Sequence, residues 1–314
     1  MGTLGSTWQI VKASGVVIRE NKRLLILPIL STISLALVLA SFIAPVVASN
    51  WSVIAGEEKF AAHGGSSAGT SAGEAEEVEL NLGAWEPPGE NAPAGDYVRF
   101  YGLLLGFYFA NYFVIVFFNS AIVAASLFWM RDGRSSLAQG LGAAVKRLPQ
   151  VIGWAALSAT VGLVLRIIES HRRGAQIVAA ILGTAWTVMT YLAVPVLVVE
   201  GKGPLGALKG SAALLRKSWG QQIVGGFGFG IIYFLLSLLG VAIIGVGVYL
   251  AGALGNPAVA LIFVAAAVVY FVVLFLVSAV QGPVFQAALY VYAKEGHASG
   301  SFGEEMLRNA FRPK

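Results

Sequence analysis

The sequence contains no cysteine, which excludes disulfides, thiolate nucleophiles and thiolate metal sites. Histidine is nearly absent as well. His63, His171 and His297 are isolated, and none pairs with another ligand at metal-binding spacing. No H-E-x-x-H or P-loop occurs, so a non-enzymatic protein with no cofactor and no metal is expected. The glycines Gly226, Gly228 and Gly230 precede an apolar run instead of joining a strand to a helix, which assigns them to packing. Charge is the third scarcity. Only 12% of residues are charged, where a soluble chain carries about a quarter.

What remains is apolar. Hydrophobic residues make up 57% of the 314, and the mean hydropathy is +0.77. The expected class is an all-α integral membrane protein with six transmembrane helices and interfacial amphipathic helices. The formal charge of +5 gives no reason to expect nucleic acid, because the basic residues flank apolar runs. There they set topology and contact anionic headgroups.

In chain order, residues 1–23 read as an amphipathic lead-in, with Trp8, Val11, Gly15 and Ile18 on one face and Lys12 and Arg19 seven apart. The first span occupies 24–49; its uncharged length exceeds the ~20 residues a crossing needs. Residues 50–97 are rich in Gly, Ser, Ala and Pro and strongly acidic, with Lys59 the one basic residue. Such a segment reads as a flexible extracytoplasmic insert. The second span, 98–130, is crowded with aromatics. A basic interfacial helix follows at 131–147, with Leu137, Leu141, Ala144 and Leu148 on one face. A hairpin of the third and fourth spans takes 148–199, and a second basic interfacial helix 200–219.

In that second helix Leu205, Leu208, Ala212, Leu215 and Trp219 recur at helical steps, beside a stripe of Lys202, Lys209, Arg216 and Lys217. Lys202, Lys209, Arg216 and Lys217 are therefore the expected anionic-lipid contacts. The fifth and sixth spans form a hairpin over 220–293, turning at Ala253–Pro257, with Gly226, Gly230, Gly240, Gly245 and Gly247 available for close helix packing. An amphipathic tail closes the chain at 294–314. Shifting the chain by 197 residues lays Lys12 on Lys209, Ser14 on Ser211 and Arg19 on Arg216. Three degenerate repeats are expected, each a surface helix plus a two-span hairpin.

Placing the N-terminus in the cytoplasm leaves sixteen of the 21 Lys and Arg residues on the inner side. The outer side keeps Lys59, Arg99, Arg166, Arg172 and Arg173, while ten of the 16 acids lie outside. This is a positive-inside pattern, with both termini cytoplasmic.

Polar residues inside spans are the candidate functional groups. Asn111, Asn119, Gln281 and Gln286 either line a polar path or hydrogen-bond between helices. Arg166 and Glu169, three apart, form a candidate intramembrane ion pair. Pro195 and Pro283 are candidate hinges. Glu200, beside Lys202 and Lys209, is placed to pin the interfacial helix or to act as a gating contact.

The run Trp186-x-x-x-Thr190, Pro195-Val-Leu-Val-Val-Glu200-Gly-Lys-Gly-Pro, Ala207-Leu-Lys-x-Ser211 and Trp219-Gly220 resembles a family of uncharacterised bacterial six-span membrane proteins. Phe118-Asn119-Ser120-Ala121 and Arg166-x-x-Glu169 are similar to that family's pattern too. More distantly, the architecture resembles the membrane domain of glycerophosphodiester phosphodiesterases. The resemblance leaves out the 50–97 insert. It implies a bacterial inner-membrane location and carries no activity. The leading expectation is an oligomeric channel or transporter-like module for an ion or small polar solute. The alternative is a scaffold that binds anionic lipid or partner proteins without transporting.

Overall fold

In the computed structural model the described residues are 12, 14–51, 87–89, 91–171, 174–217 and 223–296. The insert between 52 and 86, the segment 218–222 with Trp219, and the tail beyond 296 lie outside them. So do Trp8 and Val11 of the lead-in. A helical turn at 14–20 and the short 3-10 helix Lys22–Leu25 lead into α1, Ile26–Ser49. The others are α2 (Ala94–Asp132), α3 (Leu137–Lys146), α4 (Leu148–His171), α5 (Ala175–Met189), α6 (Ala193–Glu200), α7 (Pro204–Lys217), α8 (Ile223–Leu254) and α9 (Pro257–Glu295). Six stretches among the described residues are long and apolar enough to cross a membrane, and the described residues hold helices and no strand, as a helical membrane protein does.

The organising element is α2. In its most apolar window 67% of residues are buried, against 6–28% in the other five spans. It touches α1, α3, α4, α6 and α9. Ser120 to Leu127 is buried without interruption, as expected for a helix surrounded by others. The small residues Ala121, Ala124 and Ala125 allow that crowding. A Cβ on Gly140 of α3 would lie 2.6 Å from the Ala121 backbone oxygen, so α3 rests directly on the α2 backbone.

The core is confined to one end of the bundle. It joins Ala121–Met130 of α2 with Ala193–Val198 of α6, Val280–Val291 of α9, and Val151 and Trp154 of α4. Towards the other end the side chains are exposed: Leu261, Ile262, Val268 and Val269 on α9, and Phe234, Leu238 and Val241 on α8. Apolar surfaces of this kind suit contact with acyl chains. The basic residues Arg131, Arg147, Lys202 and Lys294 gather at the packed end, called the basic end below.

Two expectations for the last hairpin meet the structure directly. The turn falls at Gly255 (φ 63°), and Asn256 accepts the Ala258 N–H at 3.0 Å with Pro257 opening α9. Of the fifth-span glycines, Gly240 and Gly247 lie against Phe271 and Phe263 of α9, whereas Gly230 and Gly245 meet nothing within 4 Å. Gly226 lies where side-chain surroundings are not described. Pro283 is built into a continuous α9.

Candidate functional site

Helix α6 ends on Glu200, and an acid there opposes the helix dipole unless it is paired. The structure pairs it three times. Lys202 Nζ lies 2.7 Å from Oε2, Lys294 Nζ donates to Oε1 at 2.6 Å, and Tyr290 Oη donates to Oε1 at 2.9 Å. Lys294 also donates to Tyr290 Oη at 3.0 Å, with its ammonium 5.5 Å from the ring centroid. The Glu200 side chain is 17% exposed while the two lysines are about half exposed (48% and 46%). The carboxylate is thus sheltered, and the ammonium groups keep contact with water.

Arg147, at the joint of α3 and α4, completes the cluster by donating from Nε to the Val198 carbonyl at 3.1 Å. Its guanidinium occupies the space that a side chain at Gly201 would need, and Gly201 adopts φ +62°. Gln150 Nε2 reaches the Gly201 carbonyl at 3.4 Å. Cations on the last carbonyls of α6 satisfy groups that have no partner within the helix. The α3–α4 joint, the α6–α7 turn and α9 are therefore tied at one point. Arg131 with Glu295 at 3.6 Å, and Ser135 donating to Asn21 Oδ1 at 3.3 Å, extend the ties to α2 and the lead-in. Chemically the cluster is a latch, since three donors occupy its one carboxylate.

The fourth span is broken. Helix α5 stops at Met189, a turn covers Thr190–Leu192, and α6 restarts at Ala193. Pro195 lies in the first turn of α6, where its missing N–H leaves no gap, so the break sits upstream of it. The Leu192 N–H freed by the break donates to Ser211 Oγ at 3.0 Å, and both residues are buried. A Cβ on Gly210 would be 2.9 Å from Val196 Cγ1. Helix α7 therefore folds back along α6, and its small residues permit the contact. The expected face holds at Leu215, which is buried, and at Leu208, which packs on the core, and fails at Leu205. Ala207, Ser211 and Leu215 are buried, while Leu205 is 64% exposed, because α6 accepts Gly210 and Ser211 where it would exclude a leucine.

The remaining sequence-derived candidates are dispersed. Asn111 donates to Phe107 O of its own helix at 2.8 Å, and Gln281, fully buried, accepts a hydrogen bond from Tyr233 Oη. Asn119 and Gln286 are half-buried in α2 and α9. Arg166 and Glu169 form their pair at 3.5 Å with both side chains well exposed. Lys202 is held by Glu200, whereas Lys209 and Arg216 are exposed on α7; the Lys217 side chain is outside the described residues. Arg216 borders an apolar groove of about 950 Å³ between α5 and α7, lined by Ile177, Ile181, Val188 and Met189. Among the described residues no group of three His, Asp or Glu is placed to hold a metal.

Sequence reading anticipated the Glu200–Lys202 contact but not Tyr290, Lys294 or Arg147. The available signal was local: Tyr290 and Lys294 are four apart and share a helical face. No signal placed that face opposite Glu200. No curated protein and no solved structure shows significant similarity to this chain. A family match does cover residues 98–301, starting beyond the insert and leaving the first span outside. On that match, spanning most of the described helices, the chain belongs to the family of unknown function DUF6159.

Proposed function

We propose that the protein is a non-catalytic scaffold of a bacterial inner membrane, with both termini cytoplasmic, that binds anionic lipid or partner proteins at its basic end. The disposition of α7 carries this reading. One side, Ala207, Ser211 and Leu215, is buried on the bundle, while Lys209, Arg216 and Leu205 project outward. An exposed leucine between cations suits a helix lying at the headgroup boundary. The amides add support, because Gln281 and Asn111 commit hydrogen bonds within the helical bundle.

The repeat reading gains a parallel: Ser14 and Ser211 are both fully buried and Ile18 and Leu215 nearly so, with Arg19 and Arg216 exposed beside them. A distant relation to the membrane domain of glycerophosphodiester phosphodiesterases would suit a lipid-facing role.

The test is lipid retention in nanodiscs containing phosphatidylglycerol. Replacing Lys209, Arg216 and Lys217 together by Gln is expected to lower retained anionic lipid about tenfold or more, at roughly 1 kcal/mol per cation. Unchanged retention would count against the reading.

A second reading, an oligomeric channel or transporter-like module for an ion or small polar solute, is favoured by the broken fourth span. Interrupted helices recur at substrate sites of transporters. It predicts liposome flux that Asn119→Leu or Gln281→Leu abolishes without loss of folded protein.

A further inference from the structure

A cavity of about 350 Å³ opens where the chain enters the first span, between residues 19–24 and the turn that starts α3. Its lining includes the cations Arg19, Lys22 and Arg23 and the single acid Glu20, leaving an excess of positive charge. Asn21 also lines it. One end of the Asn21 amide accepts from Ser135 Oγ at 3.3 Å, while the buried Nδ2 has no hydrogen-bond partner. A buried donor left without an acceptor is costly. The opposite wall is the start of α3, where Ser136 and Gln139 form a capping box. That box satisfies the Gln139 N–H; the N–H groups of Leu137 and Ala138 precede any intrahelical acceptor, at the positive end of the helix.

Three cations, the Asn21 residue and a helix start border one small space. The group that answers all three is compact, negatively charged and rich in acceptor oxygens, as a phosphate is. Its surroundings decide the source. The cavity adjoins the first apolar span, which begins at Lys22, and the first turns of α1 expose Ile26, Ile29, Leu30 and Ile33. A phosphate seated here has hydrocarbon-facing surface immediately beside it.

We propose that this cavity binds the phosphate of an anionic phospholipid. The proposal rests on the lipid-binding reading above and adds a second, partly open site distinct from the face of α7.

The full-length protein in detergent is titrated with dioctanoyl phosphatidic acid and, separately, with inorganic phosphate, following thermal unfolding and ³¹P line broadening. Asn21→Leu keeps every charge, so membrane insertion is preserved. Arg19→Gln with Arg23→Gln is the second variant, in case Asn21→Leu fails to fold. Each is expected to weaken phosphatidic acid binding about tenfold, the effect of one charge-assisted hydrogen bond. Lys146→Gln, an exposed cation outside the cavity, is expected to leave it unchanged.

Unchanged binding in the cavity variants, or an equal loss with Lys146→Gln, would overturn the site. Inorganic phosphate competing at equal concentration would overturn the lipid assignment in favour of a soluble phosphate; failure to compete supports it. Loss of lipid only in the Lys209, Arg216 and Lys217 variant would sink this site and leave the scaffold reading standing. Loss only in the cavity variants supports the site and removes α7 as the lipid contact.

Discussion

Glu200→Leu is expected to destabilise the folded protein by about 2 kcal/mol, the scale of a lost set of charge-assisted hydrogen bonds. The change removes the shared acceptor of Lys202, Lys294 and Tyr290, whose bonds to it run from 2.6 to 2.9 Å. Tyr290 is 1% exposed, so its hydroxyl has little recourse to water once the carboxylate is gone. The two lysines are better placed, being about half exposed (48% and 46%). Lys202→Gln should therefore cost less than about 1 kcal/mol, as partly exposed ion pairs do. Thermal unfolding in nanodiscs separates the two variants. Equal, small effects for both would show that the latch contributes nothing beyond a surface pair.

The second large effect is expected at Gly247. A Cβ there would collide with Cβ of Phe263 and come within 2.7 Å of its Cγ. Phe263 Cβ is fixed to the α9 backbone, so the collision cannot be relieved by rotating a side chain. The α8–α9 hairpin must open instead, and Gly247→Ala should cost about 3 kcal/mol, the upper part of the range for overpacking. Gly245→Ala, two residues away, meets nothing within 4 Å. It should be neutral or should stabilise by up to about 1 kcal/mol, because alanine is the better helix former. Opposite signs at the two positions are the diagnostic result. Similar values would mean that the hairpin is not packed through Gly247.

How far the sequence revealed this arrangement depends on the range of the interaction. Features set by neighbours along the chain were legible. The Gly255–Asn256–Pro257 turn follows from glycine's access to positive φ and from proline's place in a first helical turn. The Arg166–Glu169 pair follows from helical spacing. Lys202 beside Glu200 was legible for the same reason.

Features set by contact between distant segments were not. Both Gly245 and Gly247 looked equally suited to packing, and only the partner helix distinguishes them. On α7, Leu208 and Leu215 lie against the bundle as their spacing implies, but Leu205 does not, because the close approach of α6 selects Ala207, Gly210 and Ser211. The break before Pro195 was suggested by the proline. That Ser211, nineteen residues on, would satisfy the exposed Leu192 N–H was not. The same holds for Arg147, whose role at the Val198 carbonyl depends on a contact fifty-one residues away.

The most direct test of the scaffold account is native mass spectrometry of the protein released from its own membranes, recording subunit count and retained lipids together. The account predicts a protein that carries phosphate-bearing anionic lipid, with the lipid diminished when Lys209, Arg216 and Lys217 are replaced by Gln. A closed ring of defined stoichiometry without bound anionic lipid would contradict it and turn attention to the broken fourth span as part of a pore.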